Sequence, residues 1–449
     1  MFYSDESHCR ACITTFIFLL GGLCESTGFG QEGQPRNNCL PDFPPARTMT
    51  FGEQTVLRPG LVFSSDGKAL FVPIRTPLAG TGTGRGGVDI RDGVSQLVEV
   101  CVTTGSITRI LLTDRADLWP FGVSPDGTSM LVRRDRSEIV LVDTRTGHTR
   151  QTLSRGDSGS ERGMAWGRFA GWSPDGRTAY LVWLDERRAK TELVTWDPAT
   201  NEQSPLFESD ACTILRGARK QLRAKPIYCI PGPSNRVLQL PRPIDVEGPP
   251  DRLLVRDLGA AGEVVQTIAC PFEKLQQPLF SADGRRMFMR DSSLVSGVRQ
   301  WDLQTGEPGP SFGNTPEGFR PQYGAAYDRV HDRLFVPFYW REHPVEDRAT
   351  TVCVVLVGDA REGRWMARLR YSDTALPRMP HGLTVAPDGR TLAAVCYRLD
   401  SPSSKARRRE LLLWDLSALK GCGSSQRGNS CDERALFCVT MVVLLRASC

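Results

Sequence analysis

The chain has 449 residues, a formal net charge of +5, 40% hydrophobic and 24% charged residues, with 43 Gly, 31 Pro and 14 Cys. That balance excludes collagen-like, coiled-coil and intrinsically disordered chains, and no stretch reaches the ~20 apolar residues that a membrane-spanning helix needs. The 56 basic and 51 acidic residues are interspersed, which leaves no basic field for neutralising phosphates, so nucleic acid is not expected as a partner.

Ile13 to Leu23 form an apolar core of signal-peptide length, followed by small residues up to Gly28-Phe29-Gly30 and a polar linker to Pro45. Residues 1–44 therefore read as a leader and linker, and they predict export to a periplasmic or extracellular location, with a cytoplasmic one as the alternative. Asp5 and Glu6 offset Arg10 where a signal wants positive charge, and Leu23 before Cys24 departs from a lipidation site. Cys9 and Cys12 have no second pair at zinc-site spacing, so no metal is expected there.

From Arg47 to Leu57 the residues alternate as in a strand. One phrase then recurs along the chain: Ser64-Ser65-Asp66-Gly67, Ser124-Pro125-Asp126-Gly127, Ser173-Pro174-Asp175-Gly176, Ser281-Ala282-Asp283-Gly284 and Ala386-Pro387-Asp388-Gly389. Apolar runs flank each copy, as Leu61-Val62-Phe63 and Leu70-Phe71-Val72 flank the first. Pro at the second position, Asp at the third and Gly at the exit are the chemistry of a tight turn between two strands. The aspartates are 60, 49, 108 and 105 residues apart, so two degenerate copies belong in the long gaps. Ile227 to Ile230 with a Pro231–Asn235 turn, and Tyr327 to Asp332 before Leu334-Phe335, fill them. Each unit continues into a strand ending in Asp, with Gly or Asn four residues on, as in Asp143…Gly147, Asp197…Asn201, Asp302…Gly306 and Asp359…Gly363. Seven units of about 54 residues, each with four strands, predict an all-β fold, a seven-bladed β-propeller of four-stranded antiparallel blades spanning residues 45–420. The seventh unit lacks a fourth strand after Glu410 to Asp415, so the N-terminal strand is expected to complete it and close the ring. Residues 421–449 form a cysteine-containing tail, expected to be poorly ordered and too short in its apolar run, Ala435 to Leu445, to span a membrane.

The pairing of Ser-Pro-Asp-Gly turns with Trp196-Asp197, Trp301-Asp302 and Trp414-Asp415 resembles the WD-repeat propellers. The Gly-His pair of eukaryotic repeats does not recur from unit to unit, so the chain is more similar to divergent bacterial WD-like repeats, including those of Tol-associated periplasmic propellers. The resemblance implies a scaffold fold, with no function attached to it.

Chemical motifs are few. Gly80 to Gly87 joins two strands, so its glycines form a flexible insertion and lack the helix N-terminus of a phosphate loop. The five histidines show no metal spacing, and no Gly-x-Ser-x-Gly elbow occurs. No catalytic residue and no metal or other cofactor is therefore assigned. Seven residues before each turn Asp stand Pro59, Trp119, Arg168, Gln276 and His381; Trp119, Arg168 and His381 are candidates for a ligand-binding rim of the central channel, suited to a peptide or small anion. The loop residues Lys405, Arg407, Arg408 and Arg409 are candidates for docking an acidic partner. Trp196, Trp301 and Trp414 are expected between blades, and Cys101, Cys353 and Cys396 in the core. The expected function is a non-catalytic scaffold, a monomer binding a protein or peptide. The alternative, to which Pro380-His381-Gly382-Leu383 bears a faint likeness, is a lactonase-like propeller hydrolase with its site at the channel.

Overall fold

The computed structural model describes residues 40–421 except 52–54, 59, 78–92, 135–137, 155–167, 186, 217–218, 233–234, 243–250, 272–276, 291–297, 313–318, 322–323, 342–350, 373–379 and 400–406. The leader, its cysteines, the Gly80–Gly87 insertion, Pro59, Gln276, Lys405 and the tail lie outside the described residues.

The recurring turn builds the same hydrogen-bonded box in blade after blade. Ser124 Oγ donates to Asp126 at 2.5 Å and accepts from Ser129 N at 3.0 Å, while Thr128 N donates to the same carboxylate at 3.0 Å. The groups at Ser64, Ser173 and Ser281 repeat it. Each box ends on a glycine at positive φ, 72°, 76°, 71° and 67° for Gly67, Gly127, Gly176 and Gly284, a conformation that costs glycine least. The second signature is also a turn: Asp143, Asp197, Asp302 and Asp359 each accept backbone N–H bonds from residues two and three ahead, as an Asx turn does.

Between these turns run seven antiparallel sheets of four principal strands each. Their inner strands, Val62–Phe63, Leu118–Val123, Arg168–Trp172, Ile227–Ile230, Leu279–Phe280, Ala326–Asp328 and Pro380–Val385, follow one another around an axis. The structure is the seven-bladed β-propeller that the repeat predicts, and both degenerate units are blades. One element has no counterpart in the repeat, a hairpin of Cys212–Arg216 with Arg219–Arg223 between blades three and four.

A single sheet cannot bury both of its faces, so neighbouring blades must supply the core. Among the described residues the buried apolar side chains form seven clusters, one at each interface between adjacent blades. Trp196 lies between blades two and three, Trp301 between four and five, and Trp414 between six and seven, each at most 1% exposed. Cys353 and Cys396 are buried as expected. Cys101 corrects the sequence reading: it ends a strand in a half-buried position, next to the turn at Gly105.

Closure is more elaborate than one strand. Arg47–Thr50 forms the fourth strand of blade seven, antiparallel to Arg407–Asp415. The two-residue strand before it, Asp42–Phe43, adds in parallel to the outer strand of blade six, and Val56–Leu57 pairs within blade one. One N-terminal strap thus joins three consecutive blades.

Candidate functional site

Arg407, Arg408 and Arg409 are the first residues of the strand Arg407–Asp415, paired with Leu399, Arg398 and Tyr397, so they do not sit in the loop assigned to them from the sequence. The Arg409 guanidinium donates to the Leu57 carbonyl, a bond across the closure between blades seven and one. Arg168 and His381 stand near the starts of the inner strands of blades three and seven, paired with Val182 and Val395; their side chains lie outside the description. Trp119 stands at the equivalent place in blade two, half-buried, with the Arg133 guanidinium 5.2 Å from its ring centre, within range of a cation–π contact.

A cavity lies at the other ends of those strands. Four residues separate Trp119 from Val123, about 13 Å along a strand, and Val123 rather than Trp119 is in the cavity wall. This cavity, about 780 Å³, is the channel mouth on the side of the recurring turns, and every blade contributes to it. The second residue of each turn lines it: Ser65, Pro125, Pro174, Pro231, Ala282, Arg329 and Pro387. Six of these seven equivalent positions are uncharged, and one is an arginine.

The turns pack shoulder to shoulder. A Cβ on Gly284 would stand 1.9 Å from the Pro231 carbonyl oxygen, so only glycine allows the turns of blades four and five to approach this closely. Deeper in the wall, Gly171 of blade three makes room for Cys229 of blade four, whose Sγ would be 2.9 Å from a Cβ there. Burial pushes the Cys229 thiol up to about 12, because an apolar surrounding disfavours the thiolate. The Tyr180 hydroxyl donates to Asn235 Oδ1 at 3.0 Å, and burial also raises its pKa. Trp172 completes the aromatic wall between them.

Arg329 is the exception in charge as well as in sequence. Its side chain is reached by solvent but stands within the channel walls, and that partial desolvation lowers its pKa from the usual arginine value. It forms no hydrogen bond or ion pair with any other residue described, and the same is true of Arg236, the second guanidinium in the wall. No Asp, Glu or His is among the described residues of the wall. Nor do the described residues hold any group of three or more His, Cys, Asp or Glu placed for a metal ion, and none of their helices is long and apolar enough to cross a membrane.

The position of Arg329 is legible in the sequence once the seven turns are aligned on their second residue. Counting back to the strand starts, which selects Trp119, Arg168 and His381, leads to the opposite end of the channel from this mouth.

No family model matches the chain, and no curated protein matches it. Solved structures do. The Cps50 (Swd1) β-propeller domain of Myceliophteria thermophila is 11% identical, covering 82% of this chain and 99% of its own, with a TM-score of 0.50. A chain of the Mitotic Checkpoint Complex is 10% identical, covering 88% and 98%, with a TM-score of 0.51. Kuenenia stuttgartiensis Hydrazine Synthase is 15% identical over 75% and 92%, at 0.47. The first two likenesses show a shared β-propeller fold, and at such identities they show the fold alone.

Proposed function

We propose that this propeller is a non-catalytic binding platform that receives a peptide segment of a partner protein at the turn-lined mouth of its channel. The observation that supports this reading is the mouth itself, a cavity of about 780 Å³ framed by a turn from each blade and walled by Trp172, Tyr180 and a row of prolines. A volume of this size falls in the range of ligand sites. Its frame is pre-organised, since the turns at Ser64, Ser124, Ser173 and Ser281 are each locked by a hydrogen-bonded box, so little ordering entropy is lost on binding. The wall offers a partner aromatic and arginine anchors, the residue types that concentrate binding energy.

The experiment is selection of peptides from a random displayed library on the immobilised full chain, followed by titration of the selected peptides against the wild type and Pro174→Trp. That substitution places a bulky ring in the mouth at an exposed position. Peptides that bind the wild type and lose affinity for the variant support the reading. Failure to enrich any peptide, or binding indifferent to Pro174→Trp, sinks it.

A further inference from the structure

We propose that the turn-lined mouth is an anion-binding site and that its ligand is the carboxylate-bearing stretch of an acidic peptide; this rests on the platform reading above and deepens it.

The repeat makes Arg329 conspicuous. Position two of the turn favours Pro because Pro pre-sets the required φ, and four of the seven blades have it. Blade six gives up that preference and uses a different turn, Asp328-Arg329-Val330-His331-Asp332, with Asp332 at φ 60°. The turn is held rigidly. Asp328 accepts from the backbone of Val330 at 2.9 Å and of His331 at 3.2 Å, and pairs with His331 Nδ1 at 2.9 Å. Asp332 takes Arg286 at 2.5 Å, Arg361 at 2.8 Å and the Tyr327 hydroxyl.

Both carboxylates flanking Arg329 are therefore engaged by other donors, and neither bonds its guanidinium. Arg236, in the same wall on blade four, is likewise unpaired among the described residues. Two guanidiniums without partners among the described residues thus line a mouth with no described acid in its wall. An incoming carboxylate would engage these cations with charge-assisted, two-pronged hydrogen bonds. A bare ion would leave most of the 780 Å³ and the apolar surface of Trp172 and the prolines uncovered, whereas a peptide covers them with its remaining atoms.

The test uses the full chain and fluorescence anisotropy with a fluorescein-labelled decapeptide of alternating Glu and Asp. Its Gln/Asn isostere serves as the neutral probe, and inorganic phosphate as a competitor. The acidic peptide is expected to bind the wild type and the isostere not to. Arg329→Gln should weaken binding by roughly tenfold or more, with Arg329→Lys in between and Arg236→Gln weakening it too. Because Arg329 bonds no other described residue, Arg329→Gln should melt with the wild type, which separates lost binding from lost folding. Equal affinity for the isostere overturns the proposal, as does acidic-peptide binding indifferent to Arg329→Gln. Displacement by equimolar phosphate reassigns the mouth to a free small anion and also overturns it. If neither decapeptide binds while library-selected neutral peptides still bind and lose affinity for Pro174→Trp, the anionic assignment fails and the platform reading stands. If no peptide of any composition binds, both fail.

Discussion

Met49, at the N-terminal end of the ring, is paired across an antiparallel ladder with Leu411 in the last blade. The same strap buries Phe51 and Leu57 in the cluster shared by blades seven and one. It is anchored at its start where Asp42 pairs with Arg368 and Arg370, each at 2.8 Å. A strap joining three blades makes their cooperative unfolding depend on it. Deleting residues 45–57 should abolish the single native transition and expose an open sheet edge prone to association. Leu57→Ala, a milder probe at a fully buried site, should cost about 2–5 kcal/mol. Denaturant unfolding and size-exclusion chromatography check both; unchanged melting of the deletion variant would refute this account of closure.

The Ser of the recurring turn both donates to the turn Asp and accepts from the strand beyond it. In blade three Ser173 is 7% exposed, donating to Asp175 at 2.6 Å and accepting from Thr178 N at 2.9 Å. Ser173→Ala removes both bonds and leaves the half-buried Thr178 N–H without that acceptor, so about 0.5–1.5 kcal/mol should be lost. Chemical denaturation gives that difference. Blade seven is a natural control, for Ala386 already stands at this position and has no hydroxyl to remove.

These turns also dictate a response to acid. The hydroxyls of Ser64, Ser124 and Ser173 hold Asp66, Asp126 and Asp175 below the usual carboxylate value, and backbone N–H groups add to the effect. Asp143 is lowered first by its pair with Arg150 and then by the Thr146 N–H. A carboxylate whose folded pKa is depressed contributes stability above its unfolded value of about 4, and that contribution is lost as pH falls through the folded value. Asp66, Asp126 and Asp175 are exposed and Asp143 is half-buried, so each contributes little alone, but the motif is repeated around the ring. The melting temperature should therefore hold steady through mildly acidic pH and fall progressively below about pH 4. Proton uptake on unfolding at pH 3.5 would accompany the fall, and a melting temperature unchanged down to pH 3 contradicts the prediction.

The contrast between what the repeat discloses and what it hides has a physical basis. Asp66, Asp126, Asp175, Asp283 and Asp388 mark turns whose chemistry is local, so their spacing alone counts the blades, and Trp196, Trp301 and Trp414 reveal their burial through their place in the strand. The strap pieces Asp42–Phe43 and Val56–Leu57 are two residues long, too short for any periodicity, and only tertiary pairing with blades six and one creates them. The mouth is hidden for a different reason. Which end of an inner strand opens into a cavity depends on how seven turns converge, and a sequence read one blade at a time points to Trp119, Arg168 and His381 while passing over Arg329. The role of Arg409 in closure is hidden too, because its partner, the Leu57 carbonyl, comes from the far end of the chain.

The thiols of the ring should separate by reactivity. Only the thiolate is nucleophilic, so alkylation follows both access and pKa. Cys229 is packed against Gly171 in the channel wall, and burial raises its pKa to about 12, leaving almost no thiolate at pH 8. Cys101 is half-buried at a strand end, where the hydroxyl and then the backbone N–H of Thr104 lower its pKa. Iodoacetamide at pH 8, with the modified peptides mapped by mass spectrometry over time, should label Cys101 well before Cys229 in the native protein. In denaturant the two should label at similar rates, because both environments are lost. Gly171→Ala forces Cys229 from its place, since a Cβ there would stand 2.8 Å from the Cys229 Cβ; it should hasten Cys229 labelling and leave Cys101 unchanged. Rapid native labelling of Cys229 in the wild type would show that the wall between blades three and four is not closed around it.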